Sequence, residues 1–127
     1  MELKRTRRFY EAVRDLGRCL SSYTPSSTNY RTIEFIALTK AFEICLEYGW
    51  KDIKREIEDR GLEGNSPKDA VREGARIGLI ADPALWIDAI NARNLSVHDY
   101  FSLGEADFVQ LVRRFYNSVK DSKSNQS

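Results

Sequence analysis

Residues 92–100 read ARNLSVHDY and bring several side chains that could do chemistry within nine positions. The stretch holds Arg93, Asn94, the single histidine of the protein, His98, and Tyr100. An imidazole titrates near neutral pH, so it can take a proton and return one. A guanidinium is permanently charged and can grip two phosphate oxygens at once. Together they suit phosphoryl chemistry in which the substrate brings its own nucleophile. The same residues also have plainer readings. A lone histidine near a helix end is favoured by the helix dipole, and a tyrosine there can simply pack.

Geometry complicates the catalytic reading. Asn94 and His98 are four residues apart and share a helix face, whereas Arg93 and His98, five apart, diverge by roughly 140° on an ideal helix. One helix does not easily aim both at one atom. They converge if the helix end unwinds, if the groove is wide, or if a second copy of the helix faces the first. A symmetric dimer in which two Arg/His sets line one cleft satisfies the last condition.

The elements that must position these residues are helical. Phe9, Val13, Leu16, Leu20 and Tyr23 recur at spacings of three and four, and the segment 21–29, rich in Ser and Thr with Pro25, ends that helix. Over 31–60, Ile33, Ile36, Ala37, Ala41, Ile44, Cys45 and Tyr48 form one stripe, which Phe35, Leu38, Phe42 and Leu46 widen. A face so broad predicts neighbours on more than one side: a bundle centre, or a bundle plus a dimer seam. Gly49 is a candidate kink, and Gly61 to Asn65 ends the helix. Ser66-Pro67 with Asp69 starts a third helix by a box-like cap and carries it through Val71, Ala75 and Ile77 to Gly78. Asp82-Pro83 opens a fourth, carrying Leu85, Trp86, Ile87, Ala89 and Ile90. A last helix over 105–120 shows Phe108, Leu111, Val112, Phe115 and Val119 on one side. No segment alternates like a strand. The pattern predicts an all-α up-and-down bundle of four or five helices in one domain over 1–120, with a mobile polar tail at 121–127.

The bulk properties bound the function. A net charge of +1 gives no global reason to expect a nucleic-acid binder. Lys4, Arg5, Arg7, Arg8, Arg14 and Arg18 nevertheless make the first helix locally basic, read as a solvated face with a possible share in contacting RNA or another anion. Cys19 and Cys45 fall at apolar helix positions, as buried free thiols would. One histidine and two scattered cysteines have no zinc spacing, so neither metal nor cofactor is expected. The N-terminus lacks the apolar core of a signal peptide, and no apolar run approaches a membrane span, so a cytosolic, membrane-free protein is expected.

The segment 93–100 resembles the R-x4-H-x-Y signature of HEPN domains of the HepT type, the toxin partners of minimal nucleotidyltransferases. The likeness extends outward through Phe42-Glu43, Trp50-Lys51, SPKDAVREGARIGLI at 66–80 and ALWIDAINARNLSVH at 84–98. It covers about 31–100; the flanks fit in helical character alone. The resemblance implies a HEPN-like bundle that dimerises through the motif helices and cuts RNA without a metal. His98 would be the acid/base, Arg93 the phosphate partner, and Asn94 the polar residue that follows it. Tyr100 matches the tyrosine that a nucleotidyltransferase antitoxin of a type VII toxin–antitoxin pair adenylylates to silence the toxin. The resemblance equally admits a non-catalytic subunit that binds nucleotide or substrate for the partner transferase.

Overall fold

The computed structural model describes residues 3–25, 32–94 and 104–120. These form five α-helices: α1 (Arg7–Ser22), α2 (Ile33–Asp59), α3 (Pro67–Arg76), α4 (Pro83–Asn94) and α5 (Glu105–Val119). No described helix is long and apolar enough to cross a membrane.

Local chemistry sets the helix boundaries. Thr6, Thr32 and Ser66 cap α1, α2 and α3, each side-chain oxygen accepting from the backbone N–H three residues on. Asp82 does the same for the start of α4, accepting from the Leu85 N–H at 3.1 Å. Pro67 and Pro83 occupy first-turn positions, where a missing N–H costs nothing. Asp69 does not complete a reciprocal cap; its carboxylate faces the Arg72 guanidinium at 3.5 Å. Gly61 and Gly78 end α2 and α3 at φ of 80° and 79°, a left-handed turn that any side chain would strain. α3 is therefore shorter than the apolar pattern suggests, closing at Arg76.

Packing follows chain order, with α5 returning to α1. Two contacts fix α1 and α5 as antiparallel. Tyr23, just past the end of α1, donates its hydroxyl to Glu105 at the start of α5. At the other end Arg5, preceding α1, donates to the carbonyl of Val119, the last residue of α5, at 3.0 Å. Arg5 thus departs from the expected solvated basic face. Its side chain is buried, its guanidinium 5.8 Å and 5.4 Å from the centroids of the Phe9 and Tyr10 rings, and burial lowers its pKa. Arg7, Arg8, Arg14 and Arg18 do lie outside.

Asp52 ties α1 to α2. It is buried, and its carboxylate accepts from the Thr6 N–H at 2.7 Å, from the Thr6 hydroxyl and from Arg55. A negative charge is thereby set at the N-terminus of α1, where the helix dipole favours it.

The inner face of α2 is Phe35, Leu38, Phe42, Cys45, Leu46, Ile53 and Ile57. This reverses the expected priority of its two stripes. The residues that widen the face in the sequence pattern form the core together with Cys45 of the leading stripe, while Ile33, Ile36 and Ile44 of that stripe are 80%, 54% and 41% exposed. α2 also runs unbroken through Gly49, whose smallness serves close approach: a Cβ there would meet Trp86 at 2.8 Å and Phe9 at 3.0 Å. Of the two free thiols, Cys45 is buried and its pKa is pushed by burial up to about 12, whereas Cys19 is only half-buried.

Candidate functional site

The described part of α4 reaches the first residues of the expected site. Leu85, Trp86, Ala89, Ile90 and Ala92 bury its inner face, and its last residues, Arg93 and Asn94, are exposed. Trp86 anchors the helix by setting its ring edge-on to Phe115 of α5, centroids 4.9 Å apart. Arg93 stands about two turns further along on nearly the same face. The helix position of Arg93 is thus set by aromatic packing in the core, while its side chain reaches outward.

What it reaches is α2. The Arg93 guanidinium lies 3.7 Å from Glu47, which also accepts from the Trp50 indole N–H at 3.2 Å and pairs with Lys51 at 3.2 Å. Trp50 and Lys51 follow Glu47 by one helical turn, so all three meet on one surface of α2. Burial raises the Glu47 carboxyl, but the hydrogen bonds from Trp50 and Lys51 and the charges of Lys51 and Arg93 outweigh it and hold the group below the usual carboxylate range. The carboxylate is therefore ionised at neutral pH.

Arg93 and Glu47, with Lys40, Glu43, Ile44, Tyr48 and Lys51, line an open cleft of about 240 Å³. Lys40, Lys51 and Arg93 supply positive charge, and Tyr48 supplies a phenol and a ring. An oxyanion entering the cleft meets a guanidinium, two ammonium groups and an aromatic wall, set against the carboxylates of Glu43 and Glu47. Lys40 and Ile44 also line a larger apolar groove of about 520 Å³ between α1 and α2, bordered by Ala12, Cys19, Ile33 and Ala37. Through Ile44 and Lys40 this groove therefore adjoins the cleft that holds Arg93.

His98 and Tyr100 lie outside the described residues, as does the tail at 121–127. The expected divergence of Arg93 and His98 on one continuous helix concerns that same segment; the described part of α4 closes at Asn94. Glu47 carried no role in the sequence reading, although Trp50-Lys51 stood among the family-like blocks. A pairing of Glu with Trp and Lys at i+3 and i+4 looks like an ordinary solvated helix face until α4 is brought against it.

None of the curated proteins matches the chain. A family model does, over residues 4–126, well beyond the 31–100 span of the motif blocks: that of nucleotidyltransferase substrate binding protein like domains. The bundle of five described helices, with Arg93-Asn94 on α4, and this near-complete match carry one conclusion: the chain belongs to the HepT-like nucleotidyltransferase substrate-binding family.

Proposed function

We propose that the protein is a HepT-like toxin, a metal-independent ribonuclease silenced by a partner minimal nucleotidyltransferase. The observation that carries this reading is the complete Arg93, His98 and Tyr100 set in a chain of this family, with Arg93 exposed on α4 beside a cleft that Lys40 and Lys51 also line. In the reaction His98 takes the proton of a ribose 2′-hydroxyl, whose oxygen attacks the adjacent phosphorus. The bond to the 5′-oxygen of the next nucleotide breaks, and that oxygen leaves with a proton from imidazolium. The products are a 2′,3′-cyclic phosphate and a free 5′-hydroxyl. Arg93 stabilises the charge that builds on the phosphoryl oxygens, with Asn94 as an adjacent polar donor. Purified protein incubated with an RNA pool in the presence of EDTA tests the proposal. Cleavage with cyclic-phosphate ends supports it, and intact RNA under all conditions sinks it.

Silencing follows from charge and bulk. AMP joined to the Tyr100 oxygen, with pyrophosphate released from ATP, places an anion beside a cleft suited to phosphate and repels RNA from it. Incubation with the cognate transferase, ATP and Mg²⁺ adds AMP units to wild type and none to Tyr100→Phe. Equal adducts on both by intact mass spectrometry would move the modification elsewhere.

The working unit in this reading is a homodimer. Ile33, Ile36 and Ile44 are exposed on α2, and Ile44 lines both the apolar groove and the Arg93 cleft, which supports pairing of two copies across this face with their Arg93 side chains near the seam. Light scattering should give about twice the monomer mass of 14.6 kDa. Ile36→Glu with Ile44→Glu should return it to the monomer while circular dichroism stays helical. A double variant that stays dimeric would place the seam elsewhere.

The family description itself favours a second reading, a subunit that holds nucleotide or substrate for the transferase. Saturable nucleotide binding by the isolated protein, together with intact RNA, would select it.

A further inference from the structure

We infer that Glu47 is a positioning residue, a fixed counter-charge that aims the Arg93 guanidinium into the α2–α4 cleft while leaving its N–H donors available to a phosphodiester. The inference rests on the proposed nuclease reading for its catalytic consequence, but not for its geometry.

Three observations support it. First, the Glu47 carboxylate is itself held: Trp50 donates to Oε2 at 3.2 Å and the Lys51 ammonium sits 3.2 Å from Oε1. Both partners come from the same helix, so the carboxylate is placed whether or not a ligand is present. Second, the carboxyl is depressed below its usual range and so keeps its charge throughout the interval in which an imidazole titrates. Third, Arg93 Nη2 stands 3.7 Å from Oε2, too far for a hydrogen bond and near enough for attraction. Among the described residues the Arg93 side chain donates no hydrogen bond. A bidentate ion pair would occupy the guanidinium edge needed for phosphate; an arginine with no counter-charge would spread over many rotamers. The observed arrangement is intermediate, steering the group by charge and leaving its fork open.

The plainer alternative is an incidental surface ion pair. Such pairs contribute little to stability, and so the two readings separate on readouts other than folding. Removing the fixed negative charge also removes repulsion toward an anionic substrate. Glu47→Gln should therefore lower kcat about ten- to a hundredfold through misplacement of the guanidinium, with KM unchanged or smaller and the urea midpoint unmoved. Trp50→Phe, which deletes the donor that holds Oε2 and keeps an aromatic ring against the core, should cause a smaller loss in the same direction. The double variant should be no worse than Glu47→Gln alone, because both changes act on one placement.

A spectroscopic arm keeps the inference independent of turnover. In the full-length wild-type protein, the Arg93 Nε–Hε resonance should be sharp and should shift when a cleavage-resistant 2′-O-methyl RNA oligonucleotide is added. In Glu47→Gln it should broaden or move to the position of a solvated arginine. A wild type that cuts no RNA overturns the nuclease reading, and the resonance still decides for or against Glu47. An Arg93 signal identical in wild type and Glu47→Gln overturns the positioning role whatever the activity, as does a raised KM with unchanged kcat.

Discussion

His98→Ala lowers kcat/KM for RNA cleavage by about 10²- to 10⁴-fold, the usual contribution of a positioned acid/base. Arg93→Ala lowers it by about 10²- to 10³-fold, the loss of one preorganised charge donor at a developing oxyanion. The two do not add, because proton transfer and charge stabilisation serve one transition state; the double variant should fall little below the weaker single. Arg93→Lys restores charge but not the two-pronged grip, and should recover only part of the loss. Arg93→Ala should leave the fold intact, since the side chain is 40% exposed and meets Glu47 only through a long ion pair. Denaturing gels of a defined RNA, run in EDTA, provide the measurement. Wild type and both variants degrading RNA at equal rates would identify a contaminating nuclease and end the catalytic assignment.

Much of the scaffold that presents Arg93 is legible from local chemistry. Ser66-Pro67 and Asp82-Pro83 start α3 and α4 where their capping chemistry predicts, because a cap depends on a few neighbouring residues and hardly at all on tertiary context. The aromatic and aliphatic period of α1 likewise maps onto the buried Phe9, Val13, Leu16 and Leu20. What eluded the pattern is whatever tertiary partners decide. Both stripes of α2 are apolar, and periodicity alone does not say which of Ile36 and Phe42 faces the core. Arg5 reads as one more surface cation in a basic run; only the return of α5 supplies the carbonyl and the enclosure that bury it. Asp52 and Glu47 sit in the same charged stretch of α2, yet one is buried under Thr6 and the other meets Arg93. The motif was visible because its residue types are rare in this chain: a single histidine draws attention to its neighbours. Glu47 was invisible for the opposite reason, as one of 19 acidic residues.

Phe42→Ala destabilises the protein by about 3–5 kcal/mol, the range for emptying a phenyl-sized site in a packed core. A domain of this size is ordinarily stable by only about 5–15 kcal/mol, so the variant should lie near the edge of folding. Phe42 is fully buried and meets Phe108 and Phe115 edge to face, at centroid separations of 5.5 Å and 5.8 Å. Phe115 in turn receives Trp86 of α4. Three helices therefore meet through one run of rings, each edge-to-face pair adding roughly 0.5–1.5 kcal/mol beyond the area it buries. Phe42→Leu retains most of the volume without the ring geometry and should cost less. Urea unfolding separates these changes from Ile36→Glu, which lies on the outer face of the same helix and should leave the monomer's midpoint nearly unmoved. A loss below about 1 kcal/mol for Phe42→Ala would mean that the site collapses freely and that α2 is not locked to α5 there. The consequence reaches the cleft, because the inner face of α2 carries Phe42 while its outer face carries Glu47, and the ring run is also what seats α4. A core that lets α2 and α4 slide should lower cleavage in Phe42→Leu at temperatures where the protein is still folded, since the gap between Glu47 and Arg93 is set by these two helices and no hydrogen bond directly joins the two side chains.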